Sequence, residues 1–254
     1  TGLGFVHGVM NTDNMSISGE TIDYGPCAFM DHYDPHALFS SIDQNGRYAF
    51  SNQPMIAQWN LSRLAETLVP LVDADQDKAV AALTAVLEAF PARFESERLA
   101  AMRRKLGLTV AGSEDAALIK QLLEQMQLET VDHTIAFRAL ADAVASGSFA
   151  DFESLFAGKQ SLANWTASLN ERRLSEDGNP SDAAHMMRAA NPAFIPRNHR
   201  IEEAIRAAED RNDFAPFHRL ADVLLNPLKD QSEHADLQWP PRPEQRVTKT
   251  FCGT

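Results

Sequence analysis

Downstream of Pro54, apolar residues recur at spacings of three and four, the period of a helix with one buried face. Ile56, Trp59, Leu61, Leu64 and Leu68 form the first such stripe, with Pro54 suited to the opening turn. Val80, Leu83, Val86, Leu87 and Phe90 form the second, over 75–90; Pro91 then opens a further helix that runs to Leu106 and is stopped by Gly107. Ser113-Glu114-Asp115 reads as the start of a helix carrying Leu118, Leu122 and Met126. Further helices are predicted over 131–145, 161–174, 181–190, 197–208 and 214–225. Such stripes are expected to be core. Ahead of Pro54 the period changes to two. Met15 to Asp23 alternates as a short β-hairpin with Ser18-Gly19 as its two-residue turn. The fold class is therefore mainly α with a small β-hairpin at one edge.

That hairpin carries the densest candidate chemistry. In the expected register Asn14 faces Asp23 and Met15 faces Ile22, and directly opposed residues have Cβ atoms roughly 4.5–5.5 Å apart. An amide and a carboxylate would converge there with Asp13 beside them. Oxygen-only donors suit Mg²⁺, which keeps several waters and takes one or two protein carboxylates with substrate phosphates. Asp13 would be left to deprotonate a hydroxyl. The same residue types are also common turn formers, and spacing alone leaves a polar turn open.

Residues 27–52 are rich in Asp, His, Pro, Ser and Gly, and so long a loop inside a compact domain is expected to border a substrate. His32 and His36 could face one another on a helix, but Pro35 argues against one, so they are expected at the surface. Arg103-Arg104-Lys105 and Arg172-Arg173 read as solvated helix faces, with a phosphate contact as the alternative. Residues 191–200 read as a turn leading into a helix, with Phe194 and Ile195 in the core; the alternative has Arg197 or His199 reaching the site.

The 254 residues suffice for one domain, expected over 1–237, with the Pro-rich 238–254 as an extended tail. The net charge of −12 argues against a nucleic-acid partner, and no apolar run is long enough to span a bilayer, so no membrane partner is expected. No targeting signal opens the sequence, although a missing front end would hide one. Cys27 and Cys252 cannot form a disulfide framework, which suits a reducing compartment, the cytoplasm in a bacterium.

Asp23-Tyr24-Gly25 resembles the Asp-Phe-Gly metal motif of protein kinases, and Asp13-Asn14 a compressed form of their catalytic loop. The match to kinases proper is poor: His-Arg-Asp is missing, and Asn14 follows Asp13 directly. The run from Gly4 to Pro26, with Asn52-Gln53-Pro54 and Trp59-Asn60-Leu61-Ser62-Arg63-Leu64, resembles the selenoprotein O family of kinase-fold protein adenylyltransferases. Echoes at Met102 to Leu108, Phe137 to Leu140 and Asn191 to His199 extend the likeness over nearly the whole chain.

The resemblance implies a kinase-like carboxy-terminal lobe with a helical extension, and transfer of AMP from ATP to Ser, Thr or Tyr hydroxyls of protein substrates. It implies Asp13 as proton acceptor, Asn14 and Asp23 as ligands of Mg²⁺ or Mn²⁺, and Asp23 also against the nucleotide phosphates. Residues 27–52 would correspond to an activation segment. The family's nucleotide-clamping lysine, its glutamate partner and its Gly-rich loop precede this motif. The chain thus looks like a carboxy-terminal portion, expected to be inactive alone. Family members often end in a Cys-x-x-Cys or Cys-x-x-selenocysteine pair; here Lys249 stands three before Cys252, so Cys252 is expected as a lone thiol. A non-enzymatic binding module and an ordinary protein kinase are the alternatives.

Overall fold

The computed structural model describes residues 2–176 and 179–251, with the backbone only at 159–161. Cys252 lies outside the described residues. The chain is mainly helical, with one small antiparallel sheet of β1 (Phe5–Val6) and β2 (Ala28–Phe29), in which Phe5 pairs with Phe29 and Val6 with Ala28. The described helices are α1 (Gln53–Val72), α2 (Gln76–Leu106), α3 (Asp115–Leu128), α4 (His133–Ser146), α5 (Ala150–Ser154), α6 (Lys159–Leu174), α7 (Pro180–Ala190), α8 (Asn198–Arg211) and α9 (Ala215–Leu224).

The main core gathers the end of α2 with α3, α4, α6 and α7. Leu106, Leu122, Met126, Phe137, Leu140 and Met187 are almost wholly excluded from water. Trp165 joins them and its indole Nε1 donates to the Leu118 carbonyl at 2.9 Å, so the ring's one polar atom is satisfied. Local chemistry sets the ends. The Asp75 carboxylate accepts from the amides of Asp77 and Lys78 to start α2, and Gly107, at φ +76°, ends it in the left-handed conformation that glycine adopts without strain. Asp132 caps α4 through the Ile135 amide at 2.8 Å.

Two expectations need correction. Residues 75–106 form one helix, with Pro91 inside it. A proline lacks the N–H that would bond the carbonyl four residues back, here Leu87, and Gln58 of α1 supplies the missing donor, its Nε2 lying 3.0 Å from the Leu87 oxygen. The stripe on the first half of α2 is also not core, and on α1 Trp59 and Leu64 of the first stripe are likewise exposed. Val80 and Val86 are exposed, while Leu83, Leu87 and Phe90 are half-buried. This half packs mainly against α1 as a two-helix hairpin, so only a narrow seam leaves water.

The carboxy-terminal segment is anchored at two places. A 3₁₀ helix at Ser232–Gln238 buries Leu237 against Phe194, Leu220 and Val223. Further on, the Thr250 amide donates to the Phe39 carbonyl at 2.7 Å and its own carbonyl accepts from Ser41 at 3.1 Å, a parallel bridge to Ser40.

Candidate active site

The β1–β2 pair brings residues 7 and 27 together, so the intervening loop is a closed excursion tied at its base. Helix α1 fixes its first half. The Gln53 side chain accepts from the His7 amide at 2.9 Å and donates to the Phe5 carbonyl at 3.0 Å; two turns further on, Asn60 Nδ2 donates to the Met10 carbonyl at 2.9 Å. Tyr48 Oη donates to Asn11 Oδ1 at 2.6 Å. These four bonds place the 3₁₀ turn Thr12–Asn14 at the surface with Asp13 exposed.

The other half leans on the first at one glycine. Gly8 has φ +85°, and a Cβ there would lie 2.4 Å from the Pro26 carbonyl oxygen, so both its conformation and its neighbour exclude a side chain. The Pro26 oxygen also accepts from the Thr250 hydroxyl at 2.5 Å.

The expected hairpin is not formed as drawn. Met15 bridges Thr21, not Ile22, and strand pairing stops at that one bridge. The chain turns at Ser16, whose carbonyl accepts from the Gly19 amide at 3.1 Å, and Gly19 follows at φ +78°. The turn thus begins earlier than Ser18-Gly19 requires, and continuing the register would put Ile22 across from Asn14. A single-residue slip reverses which side chains share a face. The direct opposition of Asn14 and Asp23 is therefore absent, although both lie on the one closed loop.

Each is nonetheless oriented. Asn14 Nδ2 donates to the Val9 carbonyl at 3.0 Å, which turns the amide oxygen away for another partner. Asp23 Oδ1 accepts from the Gly25 amide at 2.9 Å, which leaves its second oxygen. One amide oxygen and one carboxylate oxygen are hard donors, a set suited to Mg²⁺ or Mn²⁺ when substrate phosphates and water complete the shell. Among the described residues no group of three or more His, Cys, Asp or Glu side chains could hold a metal by itself. His32 and His36 accordingly form no such group.

His7 is 8% exposed and neither ring nitrogen has a partner. Burial lowers its pKa, against an opposing pull from the nearby Asp23 carboxylate. Burial likewise raises the Cys27 thiol pKa, with Asp23 adding to the rise. Asp23 thus sits within electrostatic reach of both ends of the loop. Two cavities adjoin the loop. One of about 270 Å³ is lined by His7, Asn14, Glu20 and Gln53; the other, of about 910 Å³, by Tyr24, Cys27, His199 and Arg246.

Residues 27–52 are tied down by a buried ion pair. Arg197, 1% exposed, donates to Asp31 and, at 2.8 Å, to Asp132. Backbone bonds from His133 to Asp31 and from Tyr33 to Val131 run alongside. Arg197 is therefore an anchor, in keeping with the structural reading of 191–200, and Phe194 and Ile195 are buried as expected. His199 is also buried, and that burial lowers its pKa to about 4. The basic clusters are solvated faces only in part: Arg104 is exposed, but others turn inward. Arg172 is engaged by Asp115 and Glu176, and Lys105 is 3% exposed with its ammonium 4.2 Å from the centroid of the Phe137 ring.

Sequence reading missed Tyr48, Gln53 and Asn60, the residues that hold the loop. The signal was present: Gln53 and Asn60 stand seven apart, polar positions on one side of α1.

The family described as protein adenylyltransferase SelO matches residues 1–225. The chain belongs to this family. It is 51% identical over 252 residues to a protein nucleotidyltransferase YdiU of Bradyrhizobium sp. (strain ORS 278), covering 99% of this chain and 51% of that protein. A Rhizobium etli (strain CIAT 652) protein of the same name is 51% identical over 254 residues, and one from Rhodopseudomonas palustris (strain BisB5) 51% over 255, with the same shares covered. The chain spans about half the length of these curated relatives. No helix among the described residues is long and apolar enough to cross a membrane.

Proposed function

We propose that this chain carries the catalytic loop of a protein adenylyltransferase, which moves AMP from ATP to a Ser, Thr or Tyr hydroxyl of a protein substrate. The observation that carries the reading is the loop itself. Asp13 stands exposed on a turn fixed from α1, next to Asn14 and on the same closed loop as Asp23, and the side chains of Asn14 and Asp23 are each held through one atom with an oxygen left over. Asp13 takes the proton of the acceptor hydroxyl, the hydroxyl oxygen attacks the α-phosphorus, and pyrophosphate leaves. A general base contributes on the order of 10²–10⁴ in rate.

Asn14 and Asp23 would hold Mg²⁺ or Mn²⁺, which supplies charge stabilisation at the phosphates. The chain's own contribution is orientation: Val9 and Gly25 fix the two donors, and Gly8 against Pro26 holds the two halves of the loop in contact. We further propose a kinase-like carboxy-terminal lobe. A nucleotide-clamping portion would come from outside this chain, consistent with its covering half of its relatives. The test is a chimera with this chain in place of the matching half of the Bradyrhizobium protein. Asp13→Ala in it is expected to remove most AMP transfer, while Asp23→Ala weakens nucleotide binding as well as turnover. Undiminished transfer by Asp13→Ala rejects the assignment.

A further inference from the structure

The protein is acidic, with a net charge of −12, yet one exposed patch around Trp59 is basic and aromatic. Trp59, 42% exposed, has the Arg47 guanidinium 4.8 Å from its ring centroid and that of Arg63 at 5.4 Å. Arg63 is ion-paired with Glu66 at 2.7 Å, whereas Arg47 makes no ion pair among the described residues. Its position is built. The Asp43 carboxylate accepts from the backbone amides of Asn45, Arg47 and Tyr48, at 3.3, 3.0 and 2.7 Å, and the Gly46 carbonyl accepts from Asn52 at 2.7 Å. The nearest acid of its own loop is thus spent on shaping the loop, and the cation stays available.

The patch is joined to the proposed chemistry through adjacent residues. Tyr48, next to Arg47, bonds Asn11, two residues before Asp13; Asn60, next to Trp59, bonds Met10. Arg47 and Trp59 are thus each one residue from a side chain that holds the segment leading to Asp13. A guanidinium stacked on a ring keeps its edge free for bidentate pairing with a carboxylate. We infer that the Arg47–Trp59–Arg63 surface selects protein substrates with Asp or Glu near the acceptor hydroxyl, Arg47 being the specificity-determining cation. This rests on the proposed protein-hydroxyl acceptor. A nucleic-acid partner also fits a basic aromatic patch, but the acidic remainder of the chain opposes a polyanion that must track across it.

Direct binding tests this without nucleotide, and so apart from the chemistry of transfer. Fluorescent peptides carrying one Ser between Glu residues, or between Lys residues, are titrated at low salt against the full-length chimera and against its Arg47→Glu and Arg47→Lys forms. The expected preference for the Glu peptide is roughly fivefold, the scale of one exposed charge pair. It should persist in Arg47→Lys and invert in Arg47→Glu, with unchanged melting temperatures. Equal binding of both peptides, a preference unaltered in Arg47→Glu, or tighter binding of a single-stranded oligonucleotide overturns the inference. Acidic-peptide selectivity without any AMP transfer in the chimera would leave it standing and remove the adenylyl-transfer reading instead.

Discussion

Lys105 shows how far a residue's role can depart from its neighbours'. Arg103, Arg104 and Lys105 form one basic run in the sequence, yet successive positions on a helix point about 100° apart, and Lys105 falls on the buried side. Burial lowers its pKa to about 7 from the ordinary 10.5. Between those values the unfolded chain holds a proton that the folded chain does not, so stability rises with pH through that window. Below about 7 both states are protonated and the cost of the buried ammonium, offset in part by the Phe137 ring, is fully present. Lys105→Met is expected to raise the melting temperature at pH 6 and to flatten its rise from pH 7 to 10. A pH profile unchanged from the parent would contradict this. Composition could flag the cluster, but which of its members is buried depends on the packing of α4, which no local pattern carries.

At the scale of elements, helices were more legible than pairing. Each predicted helix from 113 onward is present with ends shifted by a few residues, because caps such as Asp132 and periodic apolar positions are local signals. Apolar periodicity does not show the short α5, and Pro91 reads as a break in the sequence because its compensation comes from Gln58, a residue on another helix. The hairpin register failed for a related reason: Ser18-Gly19 fits a two-residue turn, but the chain turns at Ser16 with Gly19 after it, while α1 holds the preceding loop. Two variants and one control probe the ties that hold the fold. Arg197→Met leaves Asp31 and Asp132 without their shared cation and should cost about 3–5 kcal/mol in urea unfolding, the range for breaking a buried pair. Arg206→Met, which removes only surface ion pairs with Glu202 and Glu209, should change nothing measurable. Gly8→Ala meets both a left-handed φ and the Pro26 oxygen, and should destabilise by more than about 1 kcal/mol and abolish AMP transfer together. Full activity in Gly8→Ala would show that the two halves of the loop need not touch.

For the molecule as a whole, the sequence placed Asp13, Asn14 and Asp23 on one loop but not the frame that holds it. The frame is assembled from α1, the 43–48 loop and Thr250, which lie far apart in sequence. Family membership, by contrast, was legible because its motifs are contiguous runs. By itself this chain should show little AMP transfer, since holding a triphosphate in line needs groups beyond the two donors described here; robust turnover by the 254 residues with ATP and Mg²⁺ would oppose that. The central claim is tested most directly by intact-mass measurement of the chimera and its protein substrate after incubation with ATP and Mg²⁺ or Mn²⁺. The account predicts a mass increase of one AMP on a hydroxyl-bearing chain, lost in Asp13→Ala; an increase of one phosphate, or an AMP adduct that survives Asp13→Ala undiminished, would contradict it.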